Sequence, residues 1–350
     1  MSAAASPARA PWRQRIEASW WRAPGLLSNL LWPLSAVYGA LLMLQRNAYR
    51  LGWRPVVNVG VPVVVVGNVV AGGAGKTPTT LAVLQLLRER GFTPGVVSRG
   101  YGRGDEAAVR LVTRDSRAAD VGDEPLLLHR RTGAPVCVGR DRVAACTALR
   151  AAHRDVNVIV SDDGLQHLRL HRDVQIVVLD GRGLGNRRLL PAGPMRQPVP
   201  PTPPADWLVV HNSNTPWRDW PGVLAHRKLA GAVELADWWH GVAPSPSALH
   251  ALRGRRVCAA AGMAQPQRFF AMLREQGLDI EALPLEDHAR FDVLPWPAGT
   301  AEVLVTEKDA VKLDAARCAP TRVWVVALDF QLDADFGDEL AQRVAHARRT

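Results

Sequence analysis

The residues best suited to chemistry lie in a glycine-rich loop, residues 67–78, with the sequence GNVVAGGAGKTP. Glycines let backbone N–H groups turn inward onto phosphate oxygens, a lysine adds charge for the β and γ phosphates, and a threonine hydroxyl can bind Mg²⁺. The chain has few lysines among its 43 basic residues, so a lysine here points to function. The candidates for binding ATP are Gly72, Gly73, Ala74, Gly75, Lys76 and Thr77.

The spacing of this loop differs from that of the usual phosphate-binding loop. Five positions before Gly75 a glycine is expected, but the chain has Val70, and the nearest upstream glycine is Gly67. A glycine-rich turn with one solvated lysine is the alternative interpretation.

A second group of candidates follows an apolar run at residues 157–161. Asp162 and Asp163 come directly after it, and Gln166 lies three residues further on. An acid at the end of a strand that faces a phosphate loop can hold Mg²⁺ directly or through water, so the two acids and Thr77 are candidates for the metal site. Two adjacent acids can also form an ordinary turn.

Two further positions could take part in proton transfer. Asp123 and Glu124 open a helical stretch, where acids either stabilise the helix terminus or act in catalysis. His288 follows two acids in a predicted loop and could orient a carboxylate or share its proton. Without other evidence, helix stabilisation and a surface histidine are the simpler interpretations.

Arginines at the end of another strand are candidates for substrate binding. Arg99 and Arg103 belong to the segment SRGYGR, residues 98–103. Ligands of parallel sheets gather at the carboxyl ends of strands, so both side chains are predicted to point into the cleft, where arginine suits phosphate groups. Solvated loop arginines are the alternative.

The order of predicted strands and helices that must position these residues indicates an α/β protein. We expect a P-loop NTPase-like, mostly parallel sheet, a second smaller α/β domain, and an N-terminal amphipathic or membrane-associated helix. Seven prolines within residues 191–204 predict an extended loop or interdomain connection. The predicted domains are residues 1–55, 56–225 and 226–350. The predicted strands are 61–66, 94–98, 137–138, 157–161, 174–180, 257–261, 303–306 and 323–328, and the predicted helices 77–90, 126–131, 141–152 and 265–276.

The N-terminal segment is basic and apolar. Residues 1–54 contain seven arginines and one acid, Glu17, beside a 15-residue apolar run, residues 30–44. Spanning a membrane takes about 20 residues, so the run predicts a helix in the membrane interface, with a spanning helix or a buried core helix as alternatives.

The formal charge of the whole chain is +10, but no interleaved aromatic and basic run indicates nucleic-acid binding. Four scattered cysteines favour a reducing compartment.

Seven motifs occur in order along the chain: GNVVAGGAGKTP (67–78), SRGYGR (98–103), GDEP (122–125), SDDGLQH (161–167), LLPAGPMR (189–196), EDH (286–288) and TEKDAVKL (306–313). Together they make the chain resemble the tetraacyldisaccharide 4'-kinases of lipid A biosynthesis. The family's pattern often has an acid after LLPAGPMR, where this chain has Gln197.

The resemblance implies transfer of the ATP γ-phosphate to the 4'-hydroxyl of a tetraacyldisaccharide 1-phosphate at the cytoplasmic face of the bacterial inner membrane, by a peripheral or monotopic enzyme. It implies that Lys76 and the loop amides hold ATP, that Thr77, the acids at 162 and 163 and Gln166 organise Mg²⁺, and that Asp123 is the base with His288 as its partner. Closure of two domains would bring the last two together. No obligate protein partner is inferred, and two lysines, Lys308 and Lys312, have no assigned role.

Two other functions fit parts of the sequence. A membrane-associated ATPase switch of the MinD or ParA type has a similar loop, but Ala71 stands where those proteins have a signature lysine. A non-catalytic membrane adaptor could retain a nucleotide-binding fold, although intact Lys76, Thr77 and Asp123 argue against it.

Overall fold

Two β-sheets, both predominantly parallel, contain the strands of the computed structural model, which describes residues 11–348. The first sheet has the order β3-β4-β2-β5-β1-β6-β7-β8, and the second has the order β11-β10-β12-β13-β9. The strands of the first sheet are β1 (Val63–Gly67), β2 (Pro94–Ser98), β3 (Arg110–Leu111), β4 (Val136–Val138), β5 (Val158–Asp162), β6 (Val174–Asp180), β7 (Trp207–Asn212) and β8 (Val223–Leu224). Those of the second are β9 (His226–Glu234), β10 (Arg256–Ala261), β11 (Asp279–Pro284), β12 (Glu302–Thr306) and β13 (Arg322–Gln331).

Helices cover both sheets and precede the first. They are α1 (Pro11–Trp20), α2 (Leu26–Arg50), α3 (Lys76–Glu89), α4 (Ala118–Val121), α5 (Asp123–Thr132), α6 (Arg142–Ala152), α7 (Leu235–Trp239), α8 (Pro246–His250), α9 (Pro266–Glu275), α10 (Glu307–Ala310), α11 (Ala315–Cys318) and α12 (Ala334–Ala347). The predicted fold class is confirmed, because both sheets are mostly parallel and alternate with helices along the chain.

One apolar cluster joins the two sheets. The side chains of Val64 and Val66 in β1 pack into it together with Leu84 of α3 and Leu126 of α5, and Val325 of β13 belongs to the same cluster. Each fully buried valine or leucine contributes about 1.5–3 kcal/mol relative to an exposed one, so this shared core holds the sheets together. The alternate residues of β1 face a separate cluster on the α6 side.

Two strands of the second sheet, β9 and β11, were absent from the sequence-based assignment. Both are edge strands and are partly exposed, so their sequences lack the continuous apolar run of a buried parallel strand. Strand β7 was also missed. It continues the first sheet beyond the proline-rich segment, so that segment is a loop within this sheet and not an interdomain connection.

Helix α2 turns its polar side to the protein and its apolar side to solvent. Its buried residues are Ser28 and Ser35, whereas Leu30 and Leu41 are 77% and 59% exposed. The alternative of a buried core helix is therefore wrong. The helix has 25 residues, longer than the 15-residue run predicted, and within residues 11–348 it alone is long and apolar enough to cross a membrane by length and composition.

The side of α2 that faces the protein is hydrogen-bonded to the segment 189–196. Ser28 Oγ donates to Ala192 O at 2.7 Å, Ser35 Oγ donates to Leu189 O at 2.9 Å, and Tyr38 Oη donates to Arg196 O at 2.8 Å. Ser35 Oγ also accepts the N–H of Ala192. Helix α2 thus lies against the segment 189–196 along its polar side.

Replacing Ser35 by alanine tests this docking. Ser35→Ala leaves the buried N–H of Ala192 unpaired and removes one of the two hydrogen bonds to Leu189 O, so we expect a loss of about 1–3 kcal/mol in the free energy of unfolding. Urea unfolding in detergent measures the loss, and Ser213→Ala, at a serine with a local bond only, is the control. Equal stability of Ser35→Ala and wild type would contradict the docking contact.

Candidate active site

A cavity of about 840 Å³ lies between the two sheets. One wall consists of the glycine-rich loop, the start of α3, the ends of β2 and β5, and the start of α5. The other wall is formed by the loops after β10, β11 and β12 and by the second half of β13. Except for Gln166 and the buried Ala74, the candidate residues for phosphate, metal and proton chemistry therefore meet in one cleft.

The glycine-rich loop bends sharply before it enters α3. Gly72 and Gly75 have φ angles of 93° and 97°, a region that favours glycine, and Lys76 is the first residue of the helix. The first N–H groups of a helix have no partner within it, which suits an anion. Lys76 and Thr77 line the cleft, whereas Ala74 is fully buried and can contribute only its backbone.

Polar side chains donate hydrogen bonds to three carbonyl groups of the loop, and all of these side chains except Asn68 come from outside it. None of them was singled out from the sequence, although Asn212 and Asp180 each end a strand, where such polar residues can be sought. The contacts are Asn68 Nδ2 to Gly72 O (3.0 Å), Arg182 Nη2 to Gly73 O (3.1 Å), Gln265 Nε2 to Gly73 O (3.0 Å), Asn212 Nδ2 to Ala74 O (2.8 Å), and Gln265 Nε2 to Asp180 Oδ2 (2.7 Å).

The unusual spacing of the loop has a structural cause. Val70 is buried and forms an antiparallel bridge with Met195, and the N–H of Ala71 donates to Pro194 O at 2.7 Å. The start of the loop is therefore extended and paired with the segment that also docks α2. A glycine at position 70 is not required by this geometry.

The two acids after β5 occupy different electrostatic environments. Asp162 accepts hydrogen bonds from Thr80 Oγ1 (3.1 Å) and Ser98 Oγ (3.4 Å). Its pKa is raised to about 7, because the carboxylate is buried and Glu124 and Asp163 repel a further negative charge. A divalent cation would favour the ionised form of Asp162, so this residue fits a metal site.

Asp163 is already paired. Arg196 Nη1 donates to its Oδ1 at 2.8 Å, and Lys76 Nζ lies 3.9 Å from the same oxygen. Burial raises the pKa of Asp163, but Lys76 and Arg196 outweigh burial and leave the pKa below its usual value. Residues 11–348 contain no group of three or more His, Cys, Asp or Glu side chains able to hold a metal, so a cation here would need other ligands too.

Gln166 lies behind the loop and does not line the cleft. Its Nε2 donates to Asn68 O at 3.3 Å and to Gln197 Oε1 at 3.1 Å, while its Oε1 is buried without a hydrogen-bond partner. A direct bond from Gln166 to a cation in the cleft would require another side-chain position.

Asp123 and His288 meet across the cleft, 165 residues apart in the chain. Asp123 is the first residue of α5, and His288 Nδ1 lies 3.0 Å from its Oδ2 and 3.1 Å from its Oδ1. Burial raises the pKa of Asp123, but the hydrogen bond from His288 and nearby lysine charges outweigh burial and lower the pKa to about 2. Burial lowers the pKa of His288, and the bond to Asp123 more than reverses this, so the pKa is raised.

The two arginines of SRGYGR have different positions. Arg99 lines the cleft and pairs with Glu106, with Nη2 2.9 Å from Oε2. The prediction that Arg103 points into the cleft is wrong. Its guanidinium is buried and donates to the carbonyls of Glu106 and Ala108, because it holds together the glycine-containing loop that follows β2.

Comparisons with known proteins agree on one family. The family model described as LpxK, tetraacyldisaccharide-1-P 4'-kinase, matches residues 27–345. A tetraacyldisaccharide 4'-kinase of Methylibium petroleiphilum is 54% identical over 340 residues, covering 95% of each chain, and that of Leptothrix cholodnii is 51% identical over 331 residues, covering 93% of this chain and 94% of the other. A crystal structure of LpxK from Aquifex aeolicus in complex with ATP has a TM-score of 0.74 at 24% identity, covering 92% of this chain and 99% of that one, and shows a shared fold.

Replacing Gly75 by alanine tests the loop geometry. Its Cβ would overlap Asn212 Nδ2, whereas Gly91, with a φ of 79°, has open space around the same atom. Each substitution carries the left-handed backbone cost of about 1 kcal/mol, but only Gly75→Ala must also displace Asn212. We expect at least a tenfold loss of ATP affinity in a fluorescence titration for Gly75→Ala (about 1.4 kcal/mol) and little change for Gly91→Ala. Similar losses in both would contradict the close approach of Asn212.

Asp123→Asn should lower the pKa of His288, because it removes the charged acceptor that raises it. Histidine NMR titration measures this pKa, with the exposed His250 as the control. By linkage, the stability that His288 contributes is fully present below its unfolded pKa and is lost as pH rises through its folded pKa. The stability that Asp123 contributes is lost as pH falls towards its folded pKa of about 2. The stability difference from wild type should thus be largest between about pH 4 and 6.5. An unchanged His288 pKa would contradict the pairing.

Proposed function

The chain belongs to the tetraacyldisaccharide-1-P 4'-kinase family, and we propose that it transfers the γ-phosphate of ATP to the 4'-hydroxyl of a tetraacyldisaccharide 1-phosphate in lipid A biosynthesis. One observation supports this most directly. A phosphate-binding loop and an ionised carboxylate, Asp123, face the same cleft, as transfer of a phosphate to a hydroxyl requires.

We propose that the loop amides and Lys76 bind the ATP phosphates, and that Thr77, Asp162 and Asp163 hold Mg²⁺. Five of the six candidate residues of the loop, Gly72 to Thr77 without Ala74, line the cleft and are available for this. The cation would supply positive charge beside the transferred phosphate when bound. Asp162 suits it best, since its hydrogen bonds come from neutral hydroxyls.

Asp123 is proposed as the base. Its low pKa keeps it ionised at neutral pH, so it can accept the proton of the sugar hydroxyl. A weakly basic carboxylate suffices where the transition state is loose, since the bond from the attacking oxygen to phosphorus has formed little and the proton leaves late. His288, wedged against Tyr101 with ring centroids 5.1 Å apart, orients the carboxylate.

We further propose that residues 56–225 and 226–350 act as two domains that close on the substrate, preceded by a membrane segment in residues 1–55. The boundary falls between β8 and β9, where the chain leaves the first sheet. Arg99 is retained as a candidate ligand for a substrate phosphate. Arg103 is not, because its guanidinium is enclosed.

The proposed location is the cytoplasmic face of the inner membrane. A substrate with four acyl chains leaves a bilayer at a cost of about 0.8 kcal/mol for each CH₂, so the enzyme must reach the membrane surface. The exposed leucines of α2 suit this, and lateral docking of α2 on the segment 189–196 favours a helix lying in the interface. A MinD- or ParA-type switch is not favoured, given Ala71 and the family match over residues 27–345.

The decisive assay uses purified protein in mixed micelles with γ-labelled ATP, Mg²⁺ and a tetraacyldisaccharide 1-phosphate. We expect label on the disaccharide that mild acid does not release, because mild acid cleaves the anomeric 1-phosphate and leaves a 4'-phosphate monoester intact. Absence of transfer across detergents and Mg²⁺ concentrations would refute the proposed activity, and a disaccharide lacking the 4'-hydroxyl provides the negative control.

Asp123→Ala should lower kcat about 10²–10⁴-fold while ATP affinity stays within a few-fold of wild type, since a base acts in the transition state. Asp120→Ala, three residues earlier at an exposed position, is the matched control. Loss of ATP binding in Asp123→Ala would instead assign Asp123 to the nucleotide or metal.

Polar substitutions on α2 test membrane binding. Three variants each remove an exposed leucine: Leu30→Asn, Leu34→Asn and Leu41→Asn. In a co-sedimentation assay, each should lower the affinity for anionic vesicles about tenfold or more. Val242→Asn and Val293→Asn change equally exposed apolar residues of the other half and serve as controls. Unchanged partition of the α2 variants would refute the proposed surface.

A further inference from the structure

Two lysines of the TEKDAVKL segment lie at the Asp123 end of the cleft. Lys308 Nζ bridges Glu124 Oε1 at 3.0 Å and Asp287 Oδ1 at 2.9 Å. Lys312 Nζ lies 2.9 Å from Asp309 Oδ1 and 3.8 Å from Asp123 Oδ2. Both lysines follow β12 of the second sheet, and their ammonium groups reach the start of α5, the helix that precedes β4 of the first sheet.

Lys312 is shielded from water. Its side chain is 7% exposed, and its ammonium group lies 4.9 Å from the ring centroid of Phe291. Unlike Lys308 it does not line the cleft. Lys312 therefore contacts Asp123 from behind, on the side away from substrate.

Asp309 fixes the lysine. It is fully buried, and its Oδ2 accepts the N–H of Gly262 at 3.0 Å and the hydroxyl of Thr306 at 2.7 Å. These two bonds occupy one carboxylate oxygen and leave the other for Lys312. The ammonium group thus has a rigid anchor at the ends of β10 and β12.

We propose that Lys312 is the positioning residue for Asp123, shared between Asp309 and Asp123 so that it holds the proposed base in place and in its ionised form. The inference rests on the kinase function proposed above and deepens it by naming the residue that supports the base.

Sharing suits a carboxylate that must change its charge. During transfer the sugar oxygen forms its bond to the γ-phosphorus, the bond from that phosphorus to the bridging oxygen breaks with its electron pair leaving on ADP, and the hydroxyl proton moves to Asp123. Neutral Asp123 no longer compensates a cation. Lys312 then remains paired with Asp309, so no buried charge is left alone.

Charged groups surround Asp123 on all sides. Glu124 is the neighbouring acid on α5, and its N–H donates to Asp123 Oδ1 at 2.8 Å. The loop after β11 contributes His288 and Asp287, and the segment after β12 contributes the two lysines and Asp309. Since His288 and both lysines lower the pKa of Asp123, loss of one cation should raise it.

The test compares Lys312→Met, Lys312→Arg and the double variant Asp309→Asn/Lys312→Met with wild type. The double variant removes both partners, leaves no lone buried charge, and keeps an acceptor for Gly262, so it remains informative if Lys312→Met does not fold. The matched control is Lys228→Met, at a lysine whose side chain is 72% exposed.

We expect the folded Met variants to lose kcat about 10- to 100-fold with an ATP KM within about twofold of wild type, and Lys312→Arg to recover most of the loss. Carboxyl ¹³C NMR titration should show the pKa of Asp123 rising in the Met variants but not in Lys228→Met. Wild-type kcat together with an unchanged Asp123 pKa in the folded double variant would overturn the proposal.

The two readouts separate the proposals. Absence of phosphate transfer by the wild-type protein, with the Asp123 pKa still rising in the Met variants, would refute the kinase function and support the contact. Transfer by wild type with no effect of the Met variants would support the kinase and refute the role of Lys312.

Discussion

Burial of the Asp123 carboxylate is the constraint on which the active-site end of the cleft depends. A charge removed from water is stable only beside compensating groups, and breaking a buried pair costs about 3–5 kcal/mol. Within α5 the carboxylate receives one backbone N–H, and its cationic partners, His288, Lys308 and Lys312, all come from the segments that follow β11 and β12 of the second sheet. The surroundings of the proposed base are therefore complete only when the two sheets are docked by their shared apolar core.

The phosphate loop depends on a different set of contacts. Its carbonyls are bound by side chains that follow β6, end β7 and follow β10. Its start pairs with the segment 189–196, and that segment's other face binds α2. One short segment thus connects the apolar helix to the proposed nucleotide site.

Environment gives three nearby carboxylates three different properties. The pKa of Asp162 is raised to about 7, that of Asp163 is lowered by Lys76 and Arg196 despite burial, and that of Asp123 is lowered to about 2. Residue type alone gives all three the same ordinary value. These differences suit the roles proposed for them, with the two acids after β5 beside a cation and Asp123 ionised as the proposed base.

The sequence by itself determined the fold class, the family and the phosphate loop, because apolar periodicity, glycine spacing and seven ordered motifs are local patterns. It placed Asp123 and His288 as partners only through resemblance. Tertiary structure alone decided that Arg103 is enclosed, that Val70 is paired with Met195, that Asn212 and Gln265 hold the loop, and that Lys312 lies behind Asp123. These contacts join residues far apart in the chain, and their energies depend on burial and on charges from other elements, which no local pattern contains.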